Sequence, residues 1–306
     1  MAETDLTPVA SPAGTLAEAA GIARPREPRR WRSPQLVLGL LLFLSPLILS
    51  LLARLLVGQE DTEIFAFDPK TKPSADHLLG TDGSGRDVLA VMIYSTAPTF
   101  QMAIVAGLAG TVVGTAAGIV SGYFRGPADT AVRGISDVML GIPAFAMLIL
   151  VAAVMGDLSL IGLALVIALF SWPLVARAVR SQVLTLREQP FVTISRLSNR
   201  SAASIMTFEL LPNLVTFVTA MFVGAISGAL AIAIGLQLIG LGPIDTQTLG
   251  LALQNALSAG ALSQGLWWWW LPPAALLILF FLGLFLVSLA VDEIANPRLR
   301  KAGRNG

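Results

Sequence analysis

Cysteine is absent from the 306 residues and histidine occurs once, as His77. The first absence excludes disulfides and thiolate chemistry, and the second leaves a histidine-based metal site without ligands. Charge is scarce as well: 13% of the residues are Asp, Glu, Lys or Arg, against about 25% in ordinary soluble domains. With 55% apolar residues and a mean hydropathy of +0.76, the polar surface is too small to cover a water-soluble fold. The chain therefore reads as an all-α polytopic membrane protein. A net charge of +1 gives no reason to expect nucleic acid as a partner. Residues 1–34 lack the apolar run of a secretory signal. They read as a disordered cytosolic tail whose basic end, RPREPRRWRSP, sets topology; a lipid- or partner-binding tail is the alternative.

What is present is apolar length. Six segments, roughly 35–57, 100–123, 131–155, 158–178, 214–241 and 270–291, can each cross about 30 Å of hydrocarbon at about 1.5 Å per residue. Lipid offers backbone groups no water, so such runs must be helices. Lys and Arg set the orientation. With a cytosolic N-terminus, sixteen of them, from Arg24 to Arg304, fall inside and three (Lys70, Lys72 and Arg86) fall outside, with Arg54 snorkelling from the first span. That asymmetry places both termini and the 182–213 loop in the cytosol. The expected order is a tail (1–34), a first helix (35–57), an external segment with an interfacial helix (58–97), a five-helix core (98–291) and a cytosolic tail (292–306).

Within that frame several local patterns carry meaning. HLLGTDGSGRDVL has Gly80, Gly83 and Gly85 but no Lys-Ser or Lys-Thr after them. It is therefore not a phosphate-cradling loop and reads as a turn into the interfacial helix. Gly110, Gly114, Gly118 and Gly122 recur every four residues on one face of the second span. Such a stripe lets another helix approach closely, although a substrate path could use the same bare surface. Arg133 and Asp137, four apart, read as an interfacial ion pair, and Pro173 as a kink. No ionisable residue lies deep in spans four to six, which speaks against a proton relay or ion-coupled carrier. Leu241–Leu266 reads as an external loop. Trp267, Trp268, Trp269 and Trp270 point in all directions around a helix, so they suit interface anchoring better than a stacking platform.

The longest internal polar stretch is Gln182–Asn213. Leu184, Leu186, Phe191, Ile194 and Leu197 give it an apolar stripe at near-helical spacing. Pro190 ends one helix or begins the next, and Ser201 is a candidate N-cap for a second short helix through Leu211. The result is a helix–turn–helix that presents apolar knobs to a protein partner; an amphipathic hairpin resting on headgroups is the alternative.

The chain resembles the second permease subunit of ATP-binding-cassette importers of the dipeptide, oligopeptide and nickel type. The resemblance lies in HLLGTDGSGRDVL (77–89), GIVSGYFRGPADTAVRGISDVMLGIP (118–143) and WPLVARAVRSQVLTLREQPFV (172–192). It continues in LLPN (210–213), LIGLG (238–242) and NPRLR (296–300). It implies a type I importer transmembrane fold and a homologous permease partner in a heterodimer. Two ATPase subunits would carry ATP and Mg, and an external binding protein would deliver peptide. This chain would bind no cofactor or metal, have no active site, and sit multi-pass in a bacterial or archaeal cytoplasmic membrane. The family's coupling motif, Glu-Ala-Ala, three residues, then Gly, falls on Thr193, Ile194, Ser195 and Asn199, so its carboxylate and its glycine are both missing. Phe191, Val192, Arg196 and Ser201 fit the motif, with Arg187, Glu188 and Gln189 leading into it. Phe208 and Glu209 stand where the family has Arg-His. Oligosaccharide or nickel-complex import shares the same architecture. A secondary carrier needs intramembrane carboxylates that are not seen. An intramembrane enzyme would need activating neighbours that Ser171, Ser227 and Asp157 lack. A non-transporting scaffold is the remaining rival.

Overall fold

The computed structural model describes residues 34–156, 158–243 and 245–295. The expected tails, with the basic residues before Pro34 and after Ala295, and Asp157 lie outside the described residues. Among the described residues every regular element is helical, apart from one isolated bridge between Thr81 and Asp87. The helices are α1 (Pro34–Ala53), α2 (Val88–Phe124), α3 (Gly126–Gly141), α4 (Ala144–Met155), α5 (Leu160–Leu186), α6 (Pro190–Leu197), α7 (Ala202–Ile205), α8 (Leu211–Leu238), α9 (Leu249–Ser258) and α10 (Trp267–Ala295). Five of them are long and apolar enough to cross a membrane, or six spans if α3 and α4 form one bent span.

That bend corrects the expected straight third span at 131–155. α3 and α4 meet at 86°, and the cause is Pro143. It disfavours helical backbone at the residue before it, and Ile142 is extended at φ −98°, ψ 135°. The interfacial helix expected before residue 98 is not separate either. α2 runs unbroken for 37 residues through Pro98. Proline supplies no N–H to the carbonyl four residues back, and here that carbonyl, on Tyr94, accepts instead from Arg54 Nη2 at 3.1 Å. Arg54 also stacks over the Tyr94 ring. It is thus a structural clamp rather than a free snorkelling cation. α5 continues through Pro173.

α2 is the central post, with α5 and α8 on its flanks and α1 and α10 closing one side. Along one face of α2 the four glycines meet α5, Gly110 at the Ser171 side chain and the other three also at its backbone. A Cβ at Gly114 would lie 2.7 Å from the Trp172 carbonyl oxygen, and one at Gly118 2.7 Å from that of Ala176. α1 and α10 cross at a second close approach, with a Cβ at Gly283 falling 2.7 Å from the Phe43 nitrogen. Phe43, Phe100 and Phe280 fill the adjoining core, with ring centroids 4.4 to 6.0 Å apart.

Two elements at the α2 N-terminal end differ from expectation. The 241–266 stretch is not a plain loop, because Thr248 caps α9 through Leu251 N at 3.3 Å. Leu249 and Ala256 of α9 are fully buried. Buried Gln237 on α8 accepts from Thr248 Oγ1 at 2.7 Å, and Leu249 N donates to Thr99 Oγ1 at 2.9 Å. Polar bonds therefore fix α9 between α8 and α2. The tryptophans also differ from a simple interfacial belt. Trp267 is exposed, but Trp268 and Trp269 are buried in the protein. Trp268 Nε1 donates to the Thr81 carbonyl at 3.3 Å, and Trp269 lies against Gly83. They roof the 58–87 segment, in which Asp82 and Arg86 form a buried ion pair and Asp87 caps α2 through Ala90 N. His77 pairs with Asp87 at 2.9 Å, and among the described residues no cluster could hold a metal ion.

Candidate functional site

At the opposite end of the bundle, the chain between α5 and α8 folds into a hairpin. Pro190 is the first residue of α6, where its missing N–H costs nothing. Ser201 caps α7 through Ser204 N at 3.2 Å. A π-helical turn, Met206–Leu210, then feeds α7 directly into α8, so the second hairpin helix expected to end at Leu211 runs on into the following span. Asn213 Nδ2 donates to the Glu209 carbonyl at 2.7 Å across that turn.

The eleven candidate residues divide by direction. Val192 and Ser195 face inward, and Val192, fully buried, packs with Val183, Ile205 and Leu210. They hold the hairpin on the bundle rather than meeting a partner. Arg187 is also half-hidden. It donates to the Tyr123 carbonyl at 2.6 Å, tying the end of α5 to the end of α2. Burial, with the nearby Arg125 and Arg196 charges, pushes its guanidinium below the ordinary value. Phe191 is partly covered. Glu188, Gln189, Thr193, Ile194, Arg196, Asn199 and Ser201 are exposed, with Glu188 paired to Arg125 at 2.9 Å and Arg196 over the Tyr123 ring. Ile194, Leu197 and Phe208 show 62%, 82% and 69% of their surface. Ile194 and Leu197 on α6 and Phe208 on the π-turn are thus apolar side chains that the described residues leave largely uncovered.

Asn199 has φ +55°, in the left-handed region that glycine enters most freely and asparagine next. The backbone requirement therefore outlasts the loss of glycine. Asn199→Gly should leave the hairpin intact. Asn199→Val should destabilise it by about 1–2 kcal/mol, seen as faster proteolytic cleavage around residues 197–201. Equal cleavage of the two variants would remove this role. A second carboxylate of the hairpin, besides Glu188, comes from a position outside the eleven candidates. Glu209 receives Ser195 Oγ at 3.1 Å and pairs with Arg200, closing α6 onto the π-turn. No local spacing signals a contact between residues 9 and 14 apart.

The expected Arg133–Asp137 pair is replaced by pairs between helices. Asp137 pairs with Arg177 of α5, and Asp129 with Arg180, whose Nη2 lies 2.7 Å from Asp129 Oδ2. An i, i+4 pair on one helix is worth only a few tenths of a kcal/mol, so a cation on a neighbouring helix competes readily for the acid.

Comparison with known proteins gives a consistent result. Residues 114–301 match the family described as Binding-protein-dependent transport system inner membrane component. The oligopeptide transport system permease protein OppC of Lactococcus lactis subsp. lactis (strain IL1403) is 31% identical over 195 residues, 62% of this chain and 65% of that protein. The dipeptide transport system permease protein DppC of Alkalihalophilus pseudofirmus is 28% identical over 206 residues, 67% of each chain. The glutathione transport system permease protein GsiD of Pectobacterium atrosepticum is 29% identical over 191 residues, 62% of this chain and 63% of that protein. The match thus spans a little less than two thirds of the Lactococcus and Pectobacterium proteins.

Proposed function

This chain belongs to the family of inner membrane components of binding-protein-dependent transport systems, and on that premise we propose that it is a permease subunit that imports peptides at the expense of ATP hydrolysed by partner subunits. The observation that carries the reading is the set of exposed apolar side chains on the hairpin, Ile194 and Leu197 on α6 and Phe208 on the π-turn. Exposed apolar side chains on short, well-packed helices suit a socket on a soluble protein. The hairpin continues into α5 and α8, so a push on it reaches the spans that pack on α2. Two ATPase subunits closing on ATP would move the two permeases of a heterodimer between inward-open and outward-open packings, biased by nucleotide. An external binding protein would deliver the solute. ATP and Mg belong to the ATPases. The asymmetry of Lys and Arg supports a cytosolic hairpin and cytosolic termini. Peptides are the preferred substrate class because the similar permeases carry oligopeptide, dipeptide and glutathione in their names.

The test uses the assembled transporter in proteoliposomes. Thr193→Asp and Ile194→Asp place a charge on an exposed face without disturbing Val192 or Ser195. ATP-driven peptide uptake should fall on the order of tenfold or more, the scale of a central interface contact, while the variants remain folded by size-exclusion chromatography. Uptake at the unmodified rate would remove the hairpin from the mechanism. Uptake without nucleotide would replace the reading with a secondary carrier.

A further inference from the structure

Beside the α5 end that leads to the hairpin, a cavity of about 320 Å³ opens between α3 and α5, lined by Arg133, Ser136, Asp137, Arg177 and Arg180. Its charges do not balance. Arg177 and Arg180 are matched by Asp137 and Asp129, but Arg133 is exposed and makes no ion pair or hydrogen bond among the described residues. One positive charge is left over. The cavity also holds an unsatisfied group, the Ser136 hydroxyl, on a residue only 3% exposed and without a partner among the described residues. A buried hydroxyl with no bond costs about 1–3 kcal/mol, so an acceptor entering the cavity would relieve it.

Its depth and its surroundings point to the occupant. Hydrocarbon of about 30 Å takes about 20 helical residues. Counted from Leu160, where α5 begins, these run out near Val179, between Arg177 and Arg180, at the level of lipid phosphates. Leu174, one turn before Arg177 and on the same face of α5, is an exposed apolar side chain. An acyl chain lying against Leu174 carries its headgroup into the cavity. A monoanionic phosphodiester there neutralises Arg133 and accepts from Ser136 Oγ, and guanidinium is the group best shaped to receive it.

We infer that the α3–α5 cavity is a binding site for one acidic phospholipid, its phosphate held by Arg133 and Ser136. The inference does not rest on the transport reading, and its readout is binding alone. The full-length chain, purified in mild detergent, is mixed with phosphatidylglycerol or with phosphatidylcholine, and the retained lipid is counted by native mass spectrometry. One phosphatidylglycerol per chain should persist and phosphatidylcholine should not. Arg133→Gln should weaken retention about tenfold, the size of one charged hydrogen bond. Ser136→Ala should weaken it in the same direction, and Lys72→Gln, which removes the same charge at the other end, should not. Equal retention by Arg133→Gln and the unmodified chain overturns the proposal, as does equal retention of the two lipids. An Arg133-dependent thermal shift with inorganic phosphate alone would assign the site to a free anion instead. Cross-linking of position 133 to the second permease in the assembled complex would assign it to that subunit.

Discussion

Gly114→Leu should drive α2 and α5 apart and lose most of the folded chain from detergent extracts. The Cβ alone would sit 2.6 Å from the Val175 Cβ and 2.7 Å from the Trp172 carbonyl oxygen. Neither neighbour is the yielding end of a flexible side chain. Extra methylenes in a tight core commonly cost about 1–3 kcal/mol even where side chains can adjust. Here backbone meets backbone, and the same contact repeats at Gly118 and Gly122, so the two helices would have to separate along their length. The control is Gly224→Leu on α8, where a Cβ meets nothing within 4 Å. That variant should match the unmodified chain in yield and thermal midpoint. Size-exclusion profiles and thermal unfolding of the two proteins, prepared side by side, decide the matter. If Gly114→Leu and Gly224→Leu behave alike, the stripe is not a packing face.

The contrast between those two glycines marks how far the sequence can be read. A four-residue repeat of Gly is a statement about one helix face, so Gly110 to Gly122 could be picked out from spacing alone. That their partner is α5 could not, since contact between helices depends on how the chain folds back. The apolar spans were legible for the same reason: lipid leaves a run of about 20 apolar residues no choice but helix. What the runs concealed is where the helices stop. Pro143 breaks a span, whereas the helices run on through Pro98 and Pro173; Arg54, far off in sequence, serves the carbonyl that Pro98 releases. α9 was missed because its ten residues are too few for a span and its polar residues suggest a loop. The signal was Thr248, a capping residue directly before the apolar run Leu249–Leu251. At the hairpin, the helices and the Ser201 cap were readable, but which side chains face out was not. Val192 and Ser195 share a motif with Thr193 and Ile194, and only the packing against Ile205 and Leu210 separates those that hold the hairpin from those that can meet a partner.

At the other end, the segment before α2 depends on a single ion pair. The Asp82 carboxylate accepts from Ser84 N at 2.7 Å, Arg86 N at 3.0 Å and Arg86 Nε at 2.7 Å. Its side chain is 3% exposed and that of Arg86 7%. Around this knot the chain turns twice, Gly85 sits at φ +75° against the Phe67 carbonyl, and Trp269 closes over Gly83. Removing one member of a buried pair leaves a charge without a partner and costs about 3–5 kcal/mol. Arg86→Met should therefore unfold the 58–87 segment, freeing Trp268 and Trp269, while the helices beneath stay formed. Tryptophan emission should shift to the red and the segment become sensitive to protease, with little change in far-ultraviolet circular dichroism. Asp82→Asn with Arg86→Met should recover much of the loss, because it removes both charges together. Arg125→Gln, which breaks a pair whose two side chains are 53% and 63% exposed, should change stability by less than about 1 kcal/mol. If Arg86→Met is as mild as Arg125→Gln, the turn is held by its backbone bonds and tryptophan roof, and the ion pair is incidental to it.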